Sequence, residues 1–159
     1  MGFNMMYDDN DAKEADRTGL NVINISCANR KGTRVKNQRS VQSPLGGRGH
    51  WTGDVICPRS NGIPLFLQSF ELMVHEPKQS EDDTKANVVR FTCRDSHWKQ
   101  QPKSIEKHIA GAKGQFGKSS EKCPKDSAIC GLQSRVEGHI HHGDNTALND
   151  VRFFCCRFK

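Results

Sequence analysis

One pattern occurs three times in this sequence, and this repetition constrains the fold more than any other feature. It reads x-D-x-T-x-x-N-x-hydrophobic-x-hydrophobic-x-C and occupies residues 15–27, 81–93 and 143–155. Successive copies of its aspartate are separated by 66 and then 62 residues. Recurrence at a nearly fixed step predicts three copies of one structural unit.

A second pattern, Gly-x-aromatic followed by Cys-Pro, occurs in two of the three copies, at residues 49–58 and 114–124. The first copy lacks it, and the missing half would hold the partner of Cys27. We therefore expect an N-terminally shortened form of a longer secreted protein. The predicted organisation is one domain with a partial first repeat at 1–27, a second repeat at about 28–93 and a third at about 94–159.

Hydrophobic side chains alternate along the end of each copy, which is typical of a half-buried strand. The side chains predicted to share the buried face are Ile23, Ile25, Cys27, Val89, Phe91, Cys93, Val151, Phe153 and Cys155. Ile105 and Ile109 in residues 102–113 have a helical i, i+4 spacing, but the equivalent residues 32–44 do not keep it, so both stretches are predicted as strand or loop. The sequence therefore predicts an all-β protein whose small sheets share an apolar interior. Trp51 and Phe116, which are equivalent in the repeat, are predicted to pack inside or at the end of that interior.

The incomplete first copy predicts a structural defect. Loss of its strands should expose edge hydrogen-bonding groups and the inner faces of Ile23 and Ile25. We therefore expect lower stability or a dimer through that edge, with Cys27 as a further link.

Composition limits the class of protein. Lys and Arg number 24 against 18 Asp and Glu, a net charge of +6, which favours anionic partners. Seven cysteines are typical of an exported disulfide framework. No stretch is long and apolar enough to span a membrane, the first 25 residues lack a secretory signal, and no nucleic-acid-binding module is present. We expect an extracellular protein with acidic glycans, not nucleic acid, as its partners.

The stretches CGLQSRVE (130–137) and DNTALNDVRFFCC (144–156) closely resemble the C-terminal end of the vitelline membrane outer layer protein 1 family. HW…CP (50–58) and DDTKANVVRFTC (82–93) resemble its second repeat. The resemblance implies a β-prism of three Greek-key sheets with pseudo-threefold symmetry, here with the first repeat incomplete. It also implies a secreted structural component of an extracellular coat or mucosal layer, with other coat proteins and glycans as partners and no cofactor. Because transfer of N-acetyl-chito-oligosaccharides has been proposed for the type member, a transglycosylase is the alternative.

Within-repeat logic then pairs the cysteines. The predicted disulfides are Cys57–Cys93, Cys123–Cys155 and Cys130–Cys156, with Cys27 left unpaired.

Three sets of side chains are candidates for a functional site. Trp98, which has no equivalent in the other copies, is the predicted glycan contact together with its neighbours Arg94, His97 and Lys99. Glu71 and Glu137 are candidate catalytic carboxylates for a transglycosylase, although a repeated structural role is the simpler account. His139, His141 and His142 are candidate metal ligands, and the alternative is a group of solvated loop histidines.

Overall fold

The computed structural model describes residues 1–8, 19–33, 40–43, 49–75, 85–136 and 148–158. Within these ranges the chain forms thirteen strands and no helix, so it also has no helix that could cross a membrane there. The strands are β1 (Gly2–Asp8), β2 (Gly19–Ser26), β3 (Val41–Gln42), β4 (His50–Trp51), β5 (Val55–Ile56), β6 (Arg59–Ser60), β7 (Ile63–Pro64), β8 (Phe66–His75), β9 (Lys85–Arg94), β10 (Lys103–Glu106), β11 (Gln115–Phe116), β12 (Ser127–Val136) and β13 (Leu148–Arg157). The prediction of an all-β chain is confirmed.

Two of the sheets share one strand order. The first sheet runs β3-β2-β1-β4, with β5 also paired to β1, and the second runs β10-β9-β8-β11. In each sheet, the strand that follows the hairpin in the chain pairs with the hairpin's second strand. The segment after that pairs with the hairpin's first strand. The third repeat contributes the antiparallel hairpin β12-β13, and β6 and β7 form a small ribbon. The prism with a pseudo-threefold axis remains a prediction.

The alternation predicted for the repeated pattern is present in β9. Val89, Phe91 and Cys93 are fully buried, whereas Arg90 and Thr92 are partly exposed. β8 lies opposite, with Phe70 facing Phe91 across the hairpin. Side chains at every second position of β9 therefore form one wall of the core.

Four phenylalanine rings connect the three hairpins. Phe3 of β1 lies 4.9 Å from Phe91 of β9, measured between ring centroids. Phe153 of β13 lies 5.2 Å from Phe91 and 4.5 Å from Phe70. Tilted and edge-on contacts at these distances are favourable beyond the area they bury. The three repeats thus share one apolar interior.

The predicted exposure of Ile23 and Ile25 is wrong, because both side chains are 0% exposed. β3, β4 and β5 follow β2 in the chain and flank the β1–β2 hairpin on both sides. The residues that follow a hairpin in the chain therefore complete that hairpin's own sheet.

Two glycines let these flanking segments approach the hairpins. Gly49 and Gly114 have φ angles of 132° and 127°, which favour glycine. A Cβ atom at Gly49 would lie 2.6 Å from the carbonyl oxygen of Tyr7, and one at Gly114 would collide with that of Val74. The glycine of the Gly-x-aromatic pattern is thus required for close backbone contact.

The aromatic residue of that pattern is not an interior residue in the first sheet. Trp51 lies opposite Met6 and is 40% exposed, which contradicts packing inside the apolar interior, whereas packing at its end stays a prediction. Its equivalent Phe116 lies opposite Met73 and is partly buried.

The disulfides join Cys57 to Cys93, Cys123 to Cys155 and Cys130 to Cys156, and Cys27 is a free thiol. These are the pairs that the repeat logic predicts. The first two connect the segment that flanks one hairpin to the second strand of the next. Each bridge stabilises the fold by about 2–4 kcal/mol, chiefly by restricting the unfolded chain.

Candidate functional site

Four loops, two from the second repeat and two from the third, meet at one end of the strands, next to the start of β8 and the end of β9. We call this set the loop end, and it consists of residues 28–33, 59–64, 95–100 and 122–127. The Nη2 atom of Arg59 donates to the carbonyl oxygen of Lys31 (3.0 Å). The hydroxyl of Ser60 donates to the side-chain oxygen of Gln100 (3.0 Å). Contacts between residues 28 and 40 positions apart therefore fix the loops against one another.

A buried carboxylate organises the loop that carries the predicted glycan contact. Asp95 is 3% exposed, and its Oδ1 atom accepts the N–H of Gln100 (2.7 Å). Its Oδ2 atom accepts the N–H groups of His97 and Lys99 (3.2 Å each). The N–H of Trp98 donates to the backbone carbonyl of Asp95 (3.1 Å), and Trp98 takes a left-handed φ of 60°. Because a bulky residue seldom adopts that conformation, these bonds determine where the indole lies.

The same bonds alter the acidity of Asp95. Burial raises the pKa of this carboxyl, but the N–H groups of Gln100, Lys99 and His97 stabilise the charged form. The net effect is a pKa below the ordinary value of 3.8. Asp95 is therefore a structural anion at neutral pH and does not serve as a proton donor.

Two lysines lie near the indole of Trp98. The Nζ atom of Lys122 lies 5.4 Å from the Trp98 ring centroid, and that of Lys125 lies 5.8 Å from it. Both distances are within the range of a cation–π interaction. The indole is half-buried, and its Nε1–H has no hydrogen-bond partner among the described residues. This arrangement combines an aromatic face with two ammonium groups.

A charged triad lies beside the tryptophan. The Nη2 atom of Arg30 is 2.9 Å from Oδ1 of Asp126 and 3.4 Å from Nε2 of His97. The Nδ1 atom of His97 is 3.4 Å from the same Asp126 oxygen. The guanidinium of Arg30 therefore contacts both the carboxylate of Asp126 and the imidazole of His97. All three side chains are about half exposed, so the triad is open to solvent.

The loop end is strongly basic. It contains six cationic side chains and two carboxylates, Asp95 and Asp126, and both carboxylates are already hydrogen-bonded. The six cations are Arg30, Lys31, Arg59, Lys99, Lys122 and Lys125. Most of the chain's net charge of +6 is therefore concentrated at this end.

The structure confirms part of the predicted surroundings of Trp98, but the cations nearest to its indole are not the predicted ones. His97 lies beside Trp98 in the triad, as described above. Lys99 is exposed, and Arg94 is half-buried with an unpaired Nε–H in the described part of the chain. The cations within reach of the indole are Lys122 and Lys125, which the sequence reasoning missed because they come from another loop. The only sequence signal for the organising residue is the turn-forming pair Asp95-Ser96.

Comparison with known proteins decides the family. The profile described as "Vitelline membrane outer layer protein I (VOMI)" matches residues 1–158. The chain belongs to the vitelline membrane outer layer protein I family. Among its relatives, the human vitelline membrane outer layer protein 1 homolog (Homo sapiens) is 36% identical over 156 residues, covering 98% of this chain and 70% of the relative. The mouse homolog (Mus musculus) is 34% identical over the same coverage.

Membership in the vitelline membrane outer layer family implies a structural component of the vitelline membrane. The family is one of extracellular coat proteins, and the three disulfides fit a secreted protein. The basic loop end described above is thus a surface of a coat protein.

The candidate catalytic carboxylate Glu71 lies on β8 of the second sheet, where it forms an ion pair. Its Oε2 atom lies 3.4 Å from Nη1 of Arg90, whose Nε donates to Oε2 of Glu106 (2.6 Å). The Cζ atom of Arg90 lies 3.6 Å from the centroid of the Phe116 ring. Glu71 thus belongs to a row of side chains across the sheet, which supports a structural role for this residue.

The remaining candidates, Glu137, His139, His141 and His142, lie outside the described residues. Within the described ranges no group of three or more metal-ligating side chains occurs. The predictions of a catalytic pair and of a histidine metal site therefore stay predictions.

Proposed function

We propose that this protein is a structural component of an extracellular coat that binds anionic glycans at its loop end. The observation that carries the proposal is the position of the Lys122 and Lys125 ammonium groups 5.4 Å and 5.8 Å from the centroid of the Trp98 indole. A pyranose ring presents C–H groups that pack on an aromatic face, and ammonium groups attract sulfate or carboxylate substituents. The half-exposed triad of Arg30, His97 and Asp126 adds polar groups for sugar hydroxyls.

The scaffold suits a structural role. We infer that the three hairpins and their flanking strands form a prism of three Greek-key sheets. The shared strand order of the first two sheets and the phenylalanine contacts among all three hairpins support this arrangement. Disulfides that join the segment flanking one hairpin to the next hairpin would keep such a scaffold folded in an extracellular layer.

Binding of a sulfated oligosaccharide of defined length, measured by titration calorimetry, tests the proposed glycan site. We expect affinity to fall as salt increases, because the contacts are between exposed charges. Lys122→Gln with Lys125→Gln should weaken binding about tenfold or more, and Trp98→Ala should weaken it to a similar degree.

The matched control removes two charges elsewhere. Lys113 and Lys118 are exposed residues on either side of β11, outside the loop end. Lys113→Gln with Lys118→Gln should leave affinity nearly unchanged. Equal losses in the two double variants would show that only net charge matters, and the loop end would then not be a site.

No observation on the described residues favours the transglycosylase, because Glu71 is paired with Arg90. The predicted dimer through the first repeat stays a prediction, and one of its two grounds, exposure of Ile23 and Ile25, does not hold.

A further inference from the structure

One position of the repeated pattern carries a different kind of side chain in the first copy. Three residues before the cysteine that ends the pattern, the second and third copies have Arg90 and Arg152, whereas the first has Asn24. Asn24 pairs with Asn4 of β1 on one side and with Gln42 of β3 on the other. Three amide side chains thus lie in a row across the middle of the first sheet.

The side chain of Asn24 lies on the outer face of that sheet. Its neighbours Ile23 and Ile25 are 0% exposed, whereas Asn24 itself is partly exposed. Because adjacent side chains of a strand point to opposite faces, Asn24 points away from the core. A bulky group attached to its amide would therefore project outward and leave the core packing unchanged.

The second sheet shows how the same position is filled by an arginine. The Nε atom of Arg90 donates to Oε2 of Glu106 (2.6 Å), and its Cζ atom lies 3.6 Å from the centroid of the Phe116 ring. Glu106 pairs with Arg90 as Gln42 pairs with Asn24, so the two rows have the same register. In the second sheet one long side chain thus covers the aromatic residue and bonds to its polar neighbour.

In the first sheet the equivalent aromatic residue is more open. Trp51 lies opposite Met6 as Phe116 lies opposite Met73, so the two aromatic side chains occupy the same place. Trp51 is 40% exposed. The side chain of Asn24 is much shorter than that of an arginine and carries no guanidinium to cover the indole.

Two amide oxygens of the row have no hydrogen-bond partner. The Oδ1 atoms of Asn4 and Asn24 are buried, and neither accepts a hydrogen bond in the part of the chain that the structure describes. Buried polar atoms are as a rule hydrogen-bonded, so an unsatisfied pair calls for an explanation. The exposed indole and the unsatisfied oxygens, two separate observations, indicate that a polar group is missing from this face.

The sequence supplies a way to attach such a group at this position. Asn24-Ile25-Ser26 has the Asn-x-Ser pattern of an acceptor for N-linked glycosylation, and no other Asn-x-Ser or Asn-x-Thr occurs in the sequence. A disulfide-bonded protein of an extracellular family passes through the compartment in which these glycans are added. Because the sugar is transferred before the strand has formed, the later position of Asn24 in a sheet does not prevent attachment.

We propose that Asn24 carries an N-linked glycan whose first sugar lies over the indole of Trp51. The sugar occupies the place that the guanidinium of Arg90 occupies in the second sheet. The C–H groups of its ring pack against the indole, and its polar groups hydrogen-bond with the amide row. This modification is independent of glycan binding at the loop end, which lies elsewhere in the chain and would involve no covalent bond.

The covalent step is a glycosyl transfer onto the asparagine amide. The donor is an oligosaccharide joined through pyrophosphate to a polyprenyl lipid, and a transferase of the secretory route supplies the base. A bond forms between Nδ2 of Asn24 and the anomeric carbon of the first sugar. The bond from that carbon to the phosphate oxygen breaks, and the lipid pyrophosphate leaves with the electron pair. Nδ2 loses one proton to the base, and nothing is oxidised or reduced.

Secretion of the full chain from cultured eukaryotic cells, behind a cleavable leader, tests the attachment. Intact mass and glycopeptide mapping are compared before and after digestion with peptide-N-glycosidase, which converts a glycosylated asparagine to aspartate. We expect a glycan on Asn24 in most molecules of the parent protein and none in Asn24→Gln. Ser26→Thr, which keeps the acceptor hydroxyl, should carry at least as much glycan as the parent. An unmodified Asn24 in both the secreted parent and Ser26→Thr would overturn the proposal.

Fluorescence quenching tests the position of the first sugar. The chain has two tryptophans, so Trp98→Phe leaves Trp51 as the only one. Endoglycosidase trimming of a high-mannose form leaves a single sugar on Asn24, and the matched control is Trp98→Phe with Asn24→Gln, which carries no sugar. We expect acrylamide to quench Trp51 about twofold less in the trimmed protein than in the control, because the sugar covers the indole.

The quenching result also decides between packing and mere attachment. Equal quenching of Trp51 in the trimmed protein and the sugar-free control would show that the sugar projects into solvent, and the proposed contact would be wrong. Because this measurement uses no added glycan, its failure would leave sulfated oligosaccharide binding at the loop end untouched. Loss of that binding would in turn leave the modification of Asn24 untouched.

Discussion

The Cζ atom of the Arg90 guanidinium lies over the ring of Phe116, 3.6 Å from its centroid. The same side chain is bonded to Glu106 (2.6 Å) and lies 3.4 Å from Glu71. Arg90 lies on β9, and its contacts lie on β11 (Phe116), β10 (Glu106) and β8 (Glu71). One arginine therefore contacts a side chain on each of the three other strands of the second sheet. The row stabilises strand order through side chains as well as through the backbone ladder.

Arg90→Lys should therefore lower the free energy of unfolding by about 1 kcal/mol, because an ammonium can neither stack on the ring nor bond two carboxylates with a planar fork. Arg90→Ala should cost more, since the alkyl stem is lost as well. Urea denaturation at pH 7 measures both. Glu106→Gln is the control, with a loss below about 1 kcal/mol expected for a partly exposed pair. A lysine variant as stable as the parent would show that the stacking contributes nothing.

Gly114→Ala should be much more destabilising than an alanine at another positive-φ glycine. Both Gly114 and Gly111 have positive φ, at 127° and 78°, but only Gly114 would place a Cβ against the carbonyl of Val74. At Gly111 nothing lies within 4 Å of an added Cβ. We expect about 1–2 kcal/mol for Gly111→Ala from backbone strain alone, and a larger loss for Gly114→Ala. Thermal unfolding followed by circular dichroism compares the two, and equal losses would contradict the steric argument.

Adjacent phenylalanines in β13 should differ strongly in how much their truncation lowers stability. Phe153 contacts the rings of Phe70 and Phe91, whereas Phe154 is 50% exposed. Phe153→Ala should lower the free energy of unfolding by about 2–4 kcal/mol, through lost burial and an interior cavity. Phe154→Ala should change it by no more than about 0.5 kcal/mol. Similar effects at the two positions would mean that Phe153 does not connect the hairpins.

Strands with a strict two-residue alternation could be predicted from the sequence, as β9 illustrates. Its Val89, Phe91 and Cys93 are buried because adjacent side chains on a strand point to opposite faces, a rule that needs no tertiary information. The flanking of β1 by β4 and β5 could not be predicted in the same way. Which hairpin a returning segment joins depends on the path of the chain, and for that reason the exposure expected for Ile23 and Ile25 was wrong.

Which residues form the loop end could not be predicted from the sequence, for a related reason. Trp98 is a candidate from the sequence because it has no equivalent in the other repeats. No feature of the neighbouring sequence, however, indicates that Lys122 lies beside it. The Arg30–Asp126 ion pair joins residues 96 positions apart. Such contacts arise only when the folded strands bring their connecting loops to the same end.

Removing the charge of Asp95 should loosen the Trp98 loop in a manner that depends on pH. The folded pKa of this carboxyl lies below the ordinary value, so its stabilising contribution is complete above about pH 4 and is lost as pH falls through the folded pKa. Asp95→Asn should thus cost about 1–3 kcal/mol at pH 7, because three backbone N–H groups lose a charged acceptor. The gap between variant and parent should narrow below pH 4. Urea denaturation at a series of pH values measures it, with Asp126→Asn, an exposed carboxylate, as the control that should lose less. A gap of the same size at pH 2 and pH 7 would assign the loss to amide geometry and not to the carboxylate charge.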